Sequence, residues 1–328
     1  MKLAVIGSYG HVGEVLGGLE GLEDVELAAA ARWGPEDPVA FVGRSAPAEL
    51  PVFDDYRRML DKVAPDIAAV FMPFHRLAEA SMAAVEHGCH VFSEKPLATT
   101  LEDLGRLREL AGRAGVEVVA CLAMRGSPAC LTIRRAVREG RIGRPIHAVA
   151  QKSYPFASRD EFYKHRRTYG GTIPWVAIHA LDYIKFCMDQ DYRRVAAIAS
   201  NQAHPTHPGM EDQGGLIAEL SGGGVAVVNF DYLRPWGSCR RPWGDNRLRI
   251  AGTEGILETK DCGRAVELMT PESTEMLPLE PERNLFADFV GALSGRGEGL
   301  ITSEESFRIT EVVLKAREAQ DRGQFVEL

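Results

Sequence analysis

The sequence is short of features that several protein classes require. Its six cysteines, Cys89, Cys121, Cys130, Cys187, Cys239 and Cys262, include no Cys-x-x-Cys pair, and no histidine stands near them at zinc-finger spacing. A disulfide-stapled miniprotein and a zinc module are therefore excluded, and free thiols in a reducing compartment are expected. No apolar run approaches the roughly 18 residues of a membrane span. The run at the N-terminus is stopped by Gly7 before it reaches the length of a signal-peptide core, so a cytoplasmic protein is expected. Lys/Arg-rich tracts are missing as well. The 46 acidic residues outnumber the 38 basic ones by eight, and the excess is local: from Gly252 onward there are 16 acidic and 8 basic residues, with thirty of each sign before it. A chain without a basic footprint is not a general nucleic-acid or membrane-surface binder, so the expected partner is a small molecule.

What is present is length and patterning. A chain of 328 residues, 45% apolar, has room for two cores. Leu3 to Ile6 is a short apolar run closed by glycine, the pattern of a strand buried on both faces of a parallel sheet. A helical stripe of Val12, Leu16 and Leu19 follows, then a second run, Val25 to Ala31. Runs at Asp66 to Met72 and His90 to Ser93 flank a helix-favouring segment, Leu77 to His87. Thr100-Leu101-Glu102-Asp103 fits a capping box for a helix running to about Gly115, and Val116 to Leu122 reads as a fifth strand. Alternating strands and helices predict a doubly wound parallel sheet over residues 1–122. From about Ile146 the strands lengthen and alternate more strictly, as in Gly215 to Leu220 and Gly224 to Asp231, with Gly-rich turns between them. Residues 123–328 are thus expected to form an α+β domain on a largely antiparallel open sheet, one face of it wet or interface-forming.

Gly7-Ser8-Tyr9-Gly10-His11-Val12-Gly13 joins the first strand to the first helix, where a dinucleotide's pyrophosphate would meet backbone N–H groups. The spacing is G-x-x-G-x-x-G, with Tyr9 in the place of the usual second glycine. A tight βα turn with no ligand is the other reading of the same residues. The second predicted strand ends in Arg32-Trp33 where an NAD site would carry an acid for the ribose 2′-hydroxyl. An arginine there suits the 2′-phosphate of NADP, or is a solvated surface residue.

Three further stretches resemble the Gfo/Idh/MocA family of NAD(P)-dependent oxidoreductases, in order along essentially the whole chain. Gly88-Cys89-His90-Val91 leads into Glu94-Lys95-Pro96, similar to the family's G-K-H-V and E-K-P. Arg141-Ile142-Gly143-Arg144-Pro145 resembles the entry into its second domain. Gly170-Gly171-Thr172, leading to His179 and Asp182, is similar to its G-G-G…D-x-x-x-H-x-x-D segment. The resemblance implies a Rossmann domain and a substrate domain whose open sheet forms a homodimer or homotetramer. It also implies that Glu94, Lys95 and Pro96 border the cofactor, that Lys95 faces the nicotinamide and the reacting hydroxyl, and that His179 is the general base, a role the near-neutral titration of an imidazole suits. The Lys95–Pro96 bond is open to a cis form.

The sequence also departs from the family. An aspartate is expected four residues before the histidine, and Trp175 stands there; an indole cannot hold an imidazole tautomer, although it can stack on a ring-shaped substrate. A tyrosine, Tyr163 or Tyr169, is a candidate to work with Lys95 instead. Asp182 reads as a structural helix residue. In the loop Met72-Pro73-Phe74-His75-Arg76-Leu77, the family's histidine position is Leu77, and Phe74 and His75 either line the cofactor or pack in the core. Lys164 to Arg167, with Arg166 the candidate substrate contact, and the cluster Arg234, Arg240, Arg241, Arg247 and Arg249 suit a carboxylate or phosphate, or belong to a solvated loop or a subunit contact. His204, His207, Glu211 and Asp212 stand close together in one loop; His204-x-x-His207 is a spacing a metal can use, but no metal site is expected.

The leading expectation is hydride transfer between NAD or NADP and a secondary alcohol of a sugar, cyclitol or polyol acid. An NAD-dependent glycoside hydrolase or lyase acting through transient oxidation, and a non-catalytic nucleotide-binding regulator, are the rival readings. By the family comparison, the acidic last 77 residues belong to the end of the second domain, away from the cofactor.

Overall fold

The computed structural model describes residues 1–37, 39, 42, 49–235 and 244–328; Cys239, Arg240 and Arg241 lie outside them. The chain divides into two compact units. One comprises Met1–Ala123 with Asn284–Thr310, the other Met124–Arg283 with Glu311–Leu328.

In the first unit, the elements run β1 (Lys2–Ile6), α1 (Val12–Gly18), β2 (Glu26–Ala31), β3 (Val52–Phe53), α2 (Tyr56–Val63), β4 (Ile67–Val70), α3 (Leu77–Glu86), β5 (His90–Ser93), α4 (Leu101–Ala114) and β6 (Val118–Ala120). The strands form one parallel sheet in the order β3-β2-β1-β4-β5-β6. Leu3 to Ile6 and all of β4 are fully buried, which is why these segments read as unbroken apolar runs. The sheet has one strand more than the sequence predicts. β3 is two residues long at an edge, too short to show a period. Helix α4 matches its prediction at both ends: the Thr100 hydroxyl accepts from the Asp103 N–H at 3.1 Å, and Gly115 closes the helix at φ +67°.

The second unit holds α5 (Pro128–Arg138), β7 (Pro145–Pro155), α6 (Arg166–Tyr169), a π turn at Ile173–Ala177, α7 (Ile178–Met188), β8 (Tyr192–Ser200), β9 (Gln213–Leu220), β10 (Val225–Arg234), β11 (Asp245–Gly252), β12 (Ile256–Lys260), β13 (Ala265–Met269) and β14 (Thr274–Met276). After α8 (Leu285–Leu293) and α9 (Ser303–Arg322), β15 (Val326–Glu327) completes a sheet ordered β14-β13-β12-β11-β7-β10-β9-β8-β15. Its pairings are antiparallel except β7 with β10. Burial alternates along β10, as half-covered strands require. The registers Val149↔Val227↔Ile217 put three exposed apolar side chains in one row, and Ile198 on β8, 82% exposed, extends the same face. Among the described residues no helix is long and apolar enough to cross a membrane.

The division differs from the expected 1–122 and 123–328 in one respect: Asn284–Thr310 returns to the first unit. Phe286 and Phe289 of α8 pack on Phe92 of β5, at ring distances of 5.3 and 5.7 Å. Asn284 Nδ2 donates to the Glu14 carbonyl in α1 at 2.9 Å. Part of the acidic C-terminal stretch therefore sits directly behind the glycine turn rather than far from it. An amphipathic pattern shows that a helix covers a sheet, not which sheet.

Candidate functional site

In the first unit the strand order reverses between β1 and β4, and open parallel sheets bind ligands outside the carboxyl ends of the strands beside such a reversal. Gly7–Gly13 leaves β1 there, Pro73–Arg76 leaves β4, and Glu94-Lys95-Pro96 leaves β5. Gly7 and Gly10 adopt φ of +76° and +73°, which L side chains rarely accept, and a Cβ on Gly10 would collide with the Glu94 carboxylate. The Tyr9 N–H bonds to the Phe71 carbonyl at 2.8 Å, joining the turn to the end of β4.

Glu94 holds this corner together. Its fully buried carboxylate accepts from the His11 N–H at 2.6 Å, meets His11 Nδ1 at 2.9 Å, and accepts from the Lys95 N–H at 2.9 Å. Burial alone would push the carboxyl up, but His11 and the positive charge of Lys95 outweigh it and hold it below the ordinary carboxylate range. His11 and Glu94, both predicted to meet the cofactor, thus meet each other. Lys95 is itself buried, and the Lys95–Pro96 bond is cis.

At the end of β2, Arg32 donates to the Asp37 carbonyl at 2.8 Å and lies 3.7 Å from the Asp54 carboxylate. The Trp33 N–H donates to Asp37 Oδ2 at 2.9 Å, and the Ser8 hydroxyl donates to Asp37 Oδ1. Sequence reasoning missed Asp37. It looked for an acid at the strand's end, and this one stands six residues past Ala31, reaching back to the glycine turn from the loop. Its burial pushes the carboxyl above its ordinary range, against the Ser8 and Trp33 hydrogen bonds. In the loop after β4, Phe74 is fully buried with its ring edge-on to Tyr9 at 5.6 Å, whereas His75 is exposed. Phe74 takes the core role, and His75 stands at the surface of the same loop.

In the second unit His179 is 3% exposed on α7, and Trp175 is buried in the π turn before it. Trp175 lies inside that π turn, where the i, i+4 spacing of an α-helix does not hold. Its indole neighbours the hydroxyl of Tyr232. Tyr169 bonds to Tyr232 at 3.1 Å and to Thr172 at 3.0 Å, and burial pushes the Tyr232 hydroxyl up to about 12. Tyr163 stacks between Phe162 and Tyr169 at 4.7 and 4.5 Å. These contacts give Tyr163 and Trp175 packing roles that the sequence did not disclose. Arg166 donates to Glu211 and, at 3.0 Å, to Asp321, so carboxylates of this unit already occupy its guanidinium. Asp182 is structural as expected: Arg125, another residue the sequence reading missed, grips it bidentately from full burial at 2.7 to 3.1 Å. His204 Nδ1 lies 3.2 Å from Asp212, while His207 meets Thr206 and the Arg159 carbonyl, so the two histidines turn to different partners.

Comparisons with known proteins agree with this architecture. Residues 1–121 match the family profile described as an oxidoreductase family with an NAD-binding Rossmann fold, and residues 130–258 match the GFO/IDH/MocA C-terminal domain. A 1,5-anhydro-D-fructose reductase from Ensifer adhaerens is 30% identical over 280 residues, covering 80% of each chain. An inositol 2-dehydrogenase from Acidiphilium cryptum is 29% identical over 180 residues, 55% of this chain and 50% of that protein. A solved protein structure from Thermotoga maritima superposes over the full length of both chains with a TM-score of 0.94 at 33% identity. The chain belongs to the Gfo/Idh/MocA family: it is an oxidoreductase with an NAD-binding Rossmann domain.

The residues present fit that dinucleotide. Gly10 and Gly13 are exposed, a Cβ on Gly13 would meet nothing within 4 Å, and the first two N–H groups of α1, those of Val12 and Gly13, have no acceptor inside the helix.

Proposed function

We propose that the protein transfers a hydride between NADP and a secondary alcohol of a sugar, cyclitol or polyol acid. The similar proteins named a 1,5-anhydro-D-fructose reductase and an inositol 2-dehydrogenase support that substrate class. The observation that carries the reading is the Glu94-Lys95 corner, where one buried carboxylate fixes both the cofactor turn and the backbone of the candidate catalytic lysine.

Gly7 to Gly13 would hold the pyrophosphate, with Ser8, Tyr9, His11 and Val12 in the turn; Pro73, His75 and Pro96 would border the nicotinamide half. Arg32 would meet the 2′-phosphate, and Trp33 would lie beside the adenosine. A second guanidinium supports NADP, because Arg76 donates to the Trp33 carbonyl and brings another positive charge to the same loop. When bound, the nicotinamide accepts or returns a hydride. Lys95 would hydrogen-bond the substrate oxygen and stabilise the charge that builds on it as the C–H bond breaks. His179 would take the hydroxyl proton, so that the alcohol loses a hydride from carbon and a proton from oxygen and becomes a carbonyl. Tyr163 and Trp175 support the second unit's packing in this scheme.

Lys95→Met tests it. Turnover on a polyol panel should fall by about 10²–10³-fold or more while nucleotide affinity stays within a few fold; undiminished turnover would remove Lys95 from the mechanism. Arg32→Ala should weaken NADP at least tenfold and leave NAD unchanged in calorimetry, and equal losses for both would refute the 2′-phosphate contact.

A further inference from the structure

We propose that a cavity lying wholly within the second unit is a carboxylate-recognition site, and that the physiological ligand is a sugar acid or polyol acid rather than a neutral sugar. The choice of a polyol skeleton rests on the function proposed above; the anion preference rests on this cavity alone.

The cavity has a volume of about 710 Å³ and is lined by Phe156, Arg159, His204, Tyr232 and Arg234, among others, which is ample for a six-carbon ligand. Its cations are built in. The Arg234 side chain is 11% exposed, and its terminal nitrogen lies 3.6 Å from Asp245. That carboxylate already accepts three hydrogen bonds from Arg247, at 2.7 to 3.1 Å, so one negative charge is shared by two guanidiniums. The buried Nε of Arg234 has no hydrogen-bond partner among the described residues. A buried donor left in that state is a place where a ligand oxygen gains more than it would in water. Arg159 brings a second guanidinium, 4.6 Å above the Tyr232 ring.

On another wall the imidazole of His204 lies flat on Phe156, with ring centroids 3.9 Å apart and planes 20° apart. Its Nδ1 faces Asp212, a fully buried carboxylate that also accepts the N–H groups of Gln202, Ala203 and His204. These donors outweigh burial and keep Asp212 below the ordinary carboxylate range, so it stays ionised and fixes the ring. Nε2 is the nitrogen left for a ligand oxygen, as acceptor from a hydroxyl or, when protonated, as donor to a carboxylate. The nearby acids are already engaged: Asp212 by that loop, Asp245 by Arg247, and Asp231 by the Ser153 hydroxyl at 2.6 Å and the Leu233 N–H at 3.0 Å. What remains for a ligand is positive charge against two aromatic walls, Phe156 and Tyr232, which suits the C–H face of a sugar carrying one carboxylate.

The test is calorimetric titration of the full-length protein, with and without NADP, using D-gluconate, D-galactonate and D-glucuronate against sorbitol, galactitol and glucose. At least one acid should bind tenfold or more tighter than its neutral counterpart. Arg234→Met and His204→Phe should each remove most of that preference, with unchanged circular dichroism. Should Arg234→Met fail to fold, Arg159→Gln serves in its place, and the acid-to-neutral ratio of the wild type stands without any variant. No preference for any acid, or a preference that survives both substitutions, overturns the proposal. Turnover of neutral polyols without acid binding would leave the proposed function intact and end this inference. Acid binding without nucleotide binding would do the reverse.

Discussion

Glu94 in the first unit and Asp182 in the second are both carboxylates at zero exposure, and they are satisfied in opposite ways. Asp182 receives a guanidinium, that of Arg125, which donates to both of its oxygens. Glu94 receives two backbone N–H groups and an imidazole from residues that flank the cofactor turn. Removing one partner of an ion pair strands a buried charge, so Asp182 should govern folding. Removing a carboxylate that organises loop donors should instead loosen the loop they belong to. Similar burial thus serves an ion pair in one unit and the backbone of a strand-end turn in the other, and the identity of the donors separates them.

The largest effect expected from this contrast is at Asp182. Asp182→Ala should lower the unfolding free energy by about 3–5 kcal/mol in urea titrations, because Arg125 keeps its buried charge and loses the carboxylate that balances it. Arg125→Met combined with Asp182→Leu should recover much of that loss, which distinguishes a stranded charge from lost packing. A stability loss in the double variant equal to that of Asp182→Ala would show that shape, not charge, is what this pair supplies.

Lys152 extends the comparison to a buried charge that has no carboxylate partner among the described residues. It stands on β7 with its ammonium 5.0 Å from the Tyr154 ring, and burial lowers its titration from 10.5 to about 7. A lysine whose folded value is depressed costs stability in full below about pH 7. The cost is relieved as pH rises towards the unfolded value, because over that range the unfolded chain binds more protons. Lys152→Met should therefore stabilise the protein at pH 6 by about 3–4 kcal/mol and by much less at pH 10. Melting temperatures across that range check it, and a gain independent of pH would show that the lysine is not the strained group.

Glu94→Gln should be the more modest change in stability and the more serious one for ligand binding. The amide keeps an acceptor for the His11 N–H but loses the charge, so a loss of about 1–2 kcal/mol is expected, with dinucleotide affinity falling about tenfold. The folded carboxyl titrates below its ordinary value, so its stabilising effect is present above the unfolded value and is lost as pH falls through the folded one. The gap in melting temperature between wild type and Glu94→Gln should accordingly close on acidification from pH 7 towards pH 3. A gap that stays constant would assign the effect to geometry.

The sequence disclosed the scaffold of this contrast better than its joints. Parallel strands buried on both faces cannot avoid apolar runs, so β1, β2, β4 and β5 were legible, as were the Thr100 and Gly115 ends of α4. The positions of Gly10, Glu94 and Lys95 were legible too, since their order along the chain puts them at strand ends. The bonds between them were not. Nothing local in the sequence shows that Glu94 reaches His11, that Asp37 returns to Ser8, or that Arg125 closes on Asp182, because each pairing spans 29 to 83 positions. The return of Asn284–Thr310 to the first unit was hidden for the same reason. The π turn at Trp175 was missed because helical periodicity presumes 3.6 residues per turn, and one wide turn shifts the phase without altering composition.

The smallest expected effect supplies the control for Glu94. Helix α4 is capped within its own sequence, Thr100 accepting from Asp103 at 3.1 Å. At the start of α1, His11 makes no side-chain cap, and the carboxylate that receives its N–H comes from the end of β5. Thr100→Ala should cost about 1 kcal/mol, the usual size for a lost cap, and leave dinucleotide affinity unchanged. If a variant of similar stability cost at Glu94 weakens the dinucleotide and Thr100→Ala does not, the loss belongs to the turn and not to general destabilisation of the unit. Equal weakening in both would mean that nucleotide affinity tracks the stability of the whole first unit, and Glu94 would lose its special standing.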